Sequence, residues 1–267
     1  MAEVLRKILP ALGLVLAVVG CAPGADRQGV PAPETPAATD TVPERVDLPL
    51  QERCTQGEEA AVGNRRAAYA ARAVGRVTVH TSPGGRSLRV FAPRNVNGVA
   101  TVFGLRAVVR DASCEPTWYR VQLPIRPNGA GGYVRADDVL LLRVRTRIEV
   151  DLSARRIAFL RDGRTVLRTT TAVGSPATPT PTGRYYVNQR LRAADPSGPF
   201  GPGAIGFSAF SPVLTGWAQG GPVAIHGTND PSTIGRPVTN GCLRIANAEL
   251  VRMFRAMPEG TPVIVRA

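Results

Sequence analysis

The sequence predicts a mainly β protein: two β-rich bodies in series behind a Pro-rich leader, the second closing on a short helix. Three observations carry that prediction. Short runs of alternating apolar and polar residues recur from Val74 onward, the period of half-buried strands. Turn residues punctuate them, with 28 Gly and 24 Pro in 267 residues, and that much Pro excludes long helices. Helical spacing is confined to a stretch near the end, Asn247 to Ala256. An apolar content of 43% excludes wholesale disorder, and the length allows a sizeable core.

The leader comes first. Arg6 and Lys7 precede an apolar run of 13 residues, Ile8 to Gly20. That is too short to span a bilayer as a helix and has the length of a secretory h-region. It ends Leu16-Ala17-Val18-Val19-Gly20-Cys21, which resembles a bacterial lipobox; the lipid would be carried on Cys21. The alternative is an ordinary secretory signal with Cys21 incidental. Either way the expectation is a signal over 1–20 and a product outside the cytoplasm. A lipid on Cys21 would hold it to the membrane of the cell envelope. Residues 21–64 then read as a tether. Pro23, Pro31, Pro33, Pro36, Pro43 and Pro49 lie among Ala, Thr, Asp and Glu, a mixture that cannot offset the entropy of ordering.

Charge divides along the same boundaries. Residues 1–64 hold 5 basic and 9 acidic side chains, residues 65–143 hold 13 and 4, and residues 144–267 hold 15 and 7. The total of +13 is almost all arginine, since Lys7 is the only lysine. No block of consecutive basic residues forms a nucleic-acid arm. A broadly basic surface suits any polyanion, including an anionic cell wall, and the exported address argues against nucleic acid.

Residues 65–143 predict a small β-barrel. Strands are expected at Val74–His80, which ends at the turn cluster Thr81-Ser82-Pro83-Gly84-Gly85, and then at Leu88–Phe91, Ala107–Arg110, Trp118–Leu123 and Gly132–Leu142, separated by Gly, Pro and Asn. The Val-His-Thr-Ser-Pro-Gly-Gly run, Trp118-Tyr119-Arg120-Val121 and Gly132-Tyr133-Val134-Arg135 resemble a bacterial SH3-like domain. That resemblance implies a wall-binding or spacer role; a packing barrel without a ligand is the alternative.

Residues 144–267 carry the chemistry. Ile148–Leu152 and Arg156–Leu160 alternate, and Asp162-Gly163 is a two-residue hairpin signal before a return strand over Val166–Val173. A Thr-Pro segment, Pro176 to Gly183, precedes the strand Arg184–Val187; residues 196–222 are expected to be largely loop. Val223–His226 ends a strand, Gly241–Ile245 leads towards a helix that Asn247 is placed to cap, and Thr261–Val265 is a last strand. Leu250, Phe254 and Met257 fall at helical spacing.

The chain has two histidines, His80 and His226. His80 sits beside a Pro-Gly turn and reads as structural. His226 is followed by Gly227, and Cys242 lies sixteen positions later in Asn240-Gly241-Cys242. One Cys and one His make a candidate nucleophile and base. They fall short of a zinc ligand set, and there is no Cys-x-x-Cys, so no metal is expected.

His226-Gly227-Thr228 and Thr239-Asn240-Gly241-Cys242-Leu243-Arg244 resemble the signature of the YkuD-type L,D-transpeptidases, as do Val150-Asp151-Leu152-Ser153 and Thr180-Pro181-Thr182-Gly183. The resemblance covers roughly residues 145–267. It implies a β-rich catalytic domain with one or more short helices, no cofactor, and peptidoglycan stem peptides as substrates. Cys242 would attack the third stem residue, expel terminal D-Ala and pass the acyl group to an amine as a 3→3 cross-link, with a role in wall organisation and cell shape. His226 would be the base, oriented by the Gly227 carbonyl. The amides of Asn240, Gly241 and Cys242 would hold the oxyanion, and Thr239 and Arg244 would touch substrate; the alternative for Arg244 is an exposed ion pair. In one departure, Asn240 stands where the family often has His, and it cannot titrate. With Cys21 lipidated and Cys242 reduced, Cys54 and Cys114 are left to form a disulfide or to stay as buried thiols. A carboxypeptidase using the same site and a non-catalytic wall-binding lipoprotein are the other readings.

Overall fold

Residues 46, 48 and 54–267 are described by a computed structural model. The signal over 1–20, Cys21 and residues 21–45 of the tether lie outside the described residues. Residues 54–64 do not behave as tether. Cys54 is disulfide-bonded to Cys114, and β1 (Glu59–Ala61) pairs with β5 (Val102–Arg110). Its composition hid this strand: two of its three residues are alanine, which has little strand preference, and its one carboxylate, Glu59, faces outward onto Arg120.

The first body is one antiparallel sheet of eight strands rather than five. Besides β1 and β5 it contains β2 (Ala68–Ala73), β3 (Val77–His80), β4 (Ser87–Phe91), β6 (Pro116–Gln122), β7 (Gly131–Arg135) and β8 (Val139–Val144). The order is β4-β3-β7-β6-β5-β2-β8, with β1 added on β5. The strand expected over Gly132–Leu142 is broken by a 3-10 turn at Ala136–Asp138, where two adjacent aspartates stand in its first turn. Its core gathers Val77, Val79, Phe103, Val108, Val121 and Val134, the inward members of each alternation.

The second body is built on the order β11-β10-β9-β18-β13-β14-β15-β17. Its strands are β9 (Thr146–Asp151), β10 (Arg156–Arg161), β11 (Arg164–Thr170), β12 (Val173–Gly174), β13 (Gly183–Arg192), β14 (Gly203–Phe210), β15 (Pro222–His226), β16 (Pro237–Thr239), β17 (Leu243–Arg244) and β18 (Pro262–Arg266). Asp162 and Gly163 both take positive φ, 52° and 77°, the geometry of the two-residue hairpin that joins β10 to β11. β12 and β16 form a separate parallel pair. The helix α1 (Asn247–Ala256) sends Leu250 and Met253 into the core with Ile148, Ile205, Ile225 and Val263.

The main correction is β14. It lies in the stretch expected to be loop, yet it is an interior strand with Ile205, Phe207 and Ala209 almost fully buried. Its glycines are there because neighbours lie over it: a Cβ at Gly206 would meet the Gln189 side chain at 2.7 Å.

The two bodies meet along a packed seam within one compact unit. The Tyr186 ring lies against Gly104, where a Cβ would come within 2.7 Å of it. Asn128 exchanges two hydrogen bonds with the Phe210 backbone, at 2.8 and 2.9 Å. Arg126 donates to the carbonyls of Ser211 and Gly220, at 2.6 and 2.7 Å. The first body thereby holds both ends of the β14–β15 loop, which leads into the strand of His226. Asn95 and Asn97 both donate to the Gln189 amide oxygen.

Gly104→Ala should therefore destabilise the protein by roughly 1–3 kcal/mol through overpacking against Tyr186. Tyr186→Phe should cost nothing or stabilise, because its hydroxyl is buried without a partner. Urea unfolding of the two variants checks both, and a neutral Gly104→Ala would mean the seam is loosely packed.

Candidate active site

The site is made by the parallel pairing of β15 with β17. Ile225 lies beside Leu243 and His226 beside Arg244, so the same register brings Ala224 beside Cys242. Residues in register share a face, and Ala224, His226, Cys242 and Arg244 therefore stand on one side. The pairing is short but braced: Ile245 N–H donates to the His226 carbonyl at 3.0 Å, and Arg244 exchanges backbone bonds with Ala172 at 2.8 and 3.1 Å.

His226 is 4% exposed. Its Nδ1 lies 2.6 Å from the Gly227 carbonyl oxygen. A carbonyl only accepts, so Nδ1 carries the proton and Nε2 keeps its lone pair. Burial pushes the imidazole down to about 4; the Gly227 bond opposes the shift and the Arg244 charge adds to it. The ring is neutral at pH 7. Phe200 meets it edge-on, 4.9 Å between ring centres.

Cys242 is the free cysteine among the described residues, and is half-buried. Burial raises its thiol, while a backbone hydrogen bond from Ala224 and the charge of Arg244 pull the other way. The resting pair is thus a thiol and a neutral imidazole, with a fixed positive charge nearby that favours thiolate over imidazolium.

The turn before Cys242 is set from within. Gly241 has φ 107°, a conformation that favours glycine. Its N–H donates to the Thr239 hydroxyl at 3.2 Å, and that hydroxyl donates to the Cys242 carbonyl at 2.6 Å. Two expectations change here. Thr239 is 4% exposed, with its hydroxyl engaged inside the turn rather than facing a substrate. Of the three amides expected to form an oxyanion hole, that of Gly241 already has a partner. The Thr-Pro segment supports the turn from outside: Ser175 N–H donates to the Thr239 carbonyl at 2.9 Å, and Thr178 Oγ1 donates to the same carbonyl at 3.0 Å. Asn240 Oδ1 lies 3.4 Å from the Thr178 hydroxyl.

Arg244 is half-buried and makes no ion pair among the described residues. Its Nη1 donates to the Thr233 hydroxyl at 3.0 Å and its Nε is buried without a partner. Asn247 does not cap α1, whose cap position is Ala246. Its amide instead closes the loop after His226, accepting from Thr228 N–H at 2.8 Å and donating to the Thr228 carbonyl at 3.0 Å. Space for that amide exists because positions 201 and 227 are glycine; a Cβ would lie 2.3 and 2.2 Å from Asn247 Oδ1. Sequence reasoning missed Phe200 and this wedge; the signal for Phe200 is an aromatic set between two Gly-Pro pairs, Gly198 to Pro202. His80 lies in the first body, on the Gly85 carbonyl at 2.8 Å and against Trp118. No group of three or more metal-type side chains occurs among the described residues.

A buried neutral histidine makes stability depend on pH. Between about 4 and 6.5 the unfolded chain takes a proton at His226 and the native chain does not, so stability is full above 6.5 and falls as pH drops through this window. The difference amounts to about 3 kcal/mol. Urea unfolding at pH 4.5 and 7 should show a larger loss for wild type than for His226→Gln; equal losses would assign the effect elsewhere. Arg244→Gln should raise the pH midpoint of Cys242 alkylation, and an unchanged midpoint would mean the guanidinium does not act on the sulfur.

A model of the YkuD L,D-transpeptidase catalytic domain matches residues 145–265. YkuD of Bacillus subtilis (strain 168), by name an L,D-transpeptidase, is 34% identical over 118 residues, 44% of this chain and 64% of that protein. The chain thus spans under two thirds of that relative. YkuD of Bacillus licheniformis is 31% identical over 150 residues, covering 54% of this chain and 83% of that protein. Among solved structures, the catalytic domain of the E. faecium L,D-transpeptidase is 25% identical with a TM-score of 0.34, over 45% of this chain and 96% of that one. By sequence, the chain belongs to the YkuD family of L,D-transpeptidase catalytic domains.

Proposed function

We propose that the protein is a peptidoglycan L,D-transpeptidase that forms 3→3 cross-links through a thioester on Cys242. The observation that carries this reading is the Nδ1–H bond from His226 to Gly227, which leaves Nε2 as a base on the face that bears the thiol. Nε2 takes the thiol proton as sulfur adds to the carbonyl of the third stem residue. The amides of Asn240 and Cys242 receive the oxyanion, each worth about 3–4 kcal/mol in such a role. As the C–N bond breaks, the proton passes from His226 to the departing D-Ala amine. An acceptor amine then attacks the thioester, gives its proton to His226 and releases the thiol. Arg244 favours the thiolate and holds a substrate carboxylate with the guanidinium edge that Thr233 leaves.

On this reading the leader exports the protein to the cell envelope and a lipid on Cys21 holds it at the membrane. The first body, as an SH3-like module, spaces the enzyme and braces the loop ahead of His226.

Incubation with a tetrapeptide stem should add a tripeptide acyl mass to wild-type protein and none to Cys242→Ala. Cross-linked dimers should form with an amine acceptor and drop roughly 10³-fold or more in that variant. His226→Gln should lose about 10²–10⁴-fold, as for a missing general base. Free tripeptide without dimer would assign water as the acceptor and make the enzyme a carboxypeptidase. Full activity in Cys242→Ala would end the thioester reading.

A further inference from the structure

Away from Cys242, the two bodies enclose a cleft of about 1140 Å³. Arg65, Arg106, Arg120, Arg147, Arg184 and Arg266 line it, against a single carboxylate, Glu149. Strand register explains the second body's share. Ile148 and Val150 of β9 turn inward to the core, so Arg147 and Glu149 face the cleft. Beside them Ile264 pairs with Glu149 and Arg184 with Ile264, continuing the outward row onto β18 and β13. A second hollow of about 600 Å³ shares Asn64 and Arg65 with the first and adds Arg66, Arg143, Arg145 and Arg164, with Asp162 as its acid. Together they make one groove along the boundary of the two bodies.

Few of these cations are neutralised. Arg65 meets Glu149 at 3.9 Å, Arg120 meets Glu59 at 3.1 Å, and Arg145 is bonded to Asp162. Arg66, Arg106, Arg143, Arg147, Arg164, Arg184 and Arg266 make no ion pair within 4.0 Å among the described residues, although Glu149 lies near Arg147 and Asp151 near Arg266. They also crowd one another. Burial first, then the charges of Arg184 and Arg120, hold the Arg106 guanidinium below its usual range. Arg147 is lowered by burial and by Arg184, Arg65 and Arg266, with Glu149 opposing. Two buried polar atoms are left over at the same place: Arg147 Nε, and the hydroxyl of Tyr186, a residue 2% exposed. Clustered like charge and buried donors without a partner cost stability, and an oxyanion would relieve both. The walls also focus the field of the cluster.

The shape narrows the ligand. Two hollows that share Asn64 and Arg65 exceed one small anion, and a chain of linked anionic groups would occupy both. Tyr69, Tyr185 and Tyr186 are buried to 8% exposure or less, which leaves Tyr133, half-buried with its hydroxyl on Glu59, as the one ring of the lining open to a base. Successive bases would find no row of rings on which to stack. We propose that this groove is a second binding site, for a linear polyanion that bears phosphate or carboxylate on successive repeats and carries no bases. Arginine forks suit either oxyanion. The site is separate from Cys242, with β14 between β13 and the β15–β17 pair, and it does not depend on the catalytic reading.

Titration of the full chain with three charge-matched probes tests this: inorganic polyphosphate, poly-L-glutamate and an oligothymidylate. The Cys242→Ala form should bind as wild type does. Arg184→Glu/Arg266→Glu should weaken polyphosphate or polyglutamate binding by about tenfold or more. Arg89→Glu/Arg168→Glu, an equal charge change at exposed positions outside the groove, should weaken it by less than about twofold. Thermal melting verifies that each variant is folded. Tighter binding of polyphosphate assigns phosphate, and tighter binding of polyglutamate assigns carboxylate. Equal losses in the two double variants, no saturable binding of either polymer, or oligothymidylate binding as tightly as both would overturn the proposal.

Discussion

Strand β13 is the element on which the rest of this molecule hangs. Its first half, Gly183–Tyr186, pairs with β18, and its second half, Val187–Arg192, pairs with β14, with a register shift between Val187 and Gln189. Through β18 it reaches the hairpin of β9 and β10; through β14 it reaches β15 and the histidine. Tyr186 projects from the same strand into the seam against Gly104, and Gln189 accepts from Asn95 and Asn97 at 2.9 and 2.8 Å. One strand therefore joins the two halves of the second sheet and fastens the first body to them. A buried tyrosine placed on glycine tolerates little added volume, which makes the seam stiff rather than hinged.

The site inherits that stiffness by a short route. β14 passes it to β15, and β15 to the two residues of β17. Around these, small polar groups do the remaining positioning. Thr239 closes the turn before the thiol, Asn247 closes the loop after the imidazole, and each replaces backbone bonds that irregular segments cannot make for themselves. The glycines at 201 and 227 leave the room in which the Asn247 amide sits.

What the sequence made legible follows from how local each signal is. The pair of His226 and Cys242 was readable because both lie in short motifs, and the β9–β10–β11 hairpins because alternation and Asp162-Gly163 are local. Strand β14 was not, because the glycines that suit its packed position read as loop in isolation. Nor was β2, whose run of alanines has little strand preference; Ala70 and Ala71 are fully buried, and the fit is close enough that a Cβ at Gly260 would come within 2.2 Å of the Ala70 methyl. The role of Asn247 was misread as a cap, since its partner lies nineteen residues earlier. Such long-range pairings leave no trace in one sequence.

The arginine bias has a chemical side as well as an electrostatic one. Lys7 is the only lysine in this sequence, so apart from the two imidazoles, His80 and His226, every other basic side chain is a guanidinium, protonated at any working pH and hence not nucleophilic. A reactive acyl group held on this fold would meet no neutral side-chain amine of its own. Arginine thus supplies positive charge without offering an acceptor, and the surface stays inert towards activated esters that a lysine-rich surface of equal charge would consume.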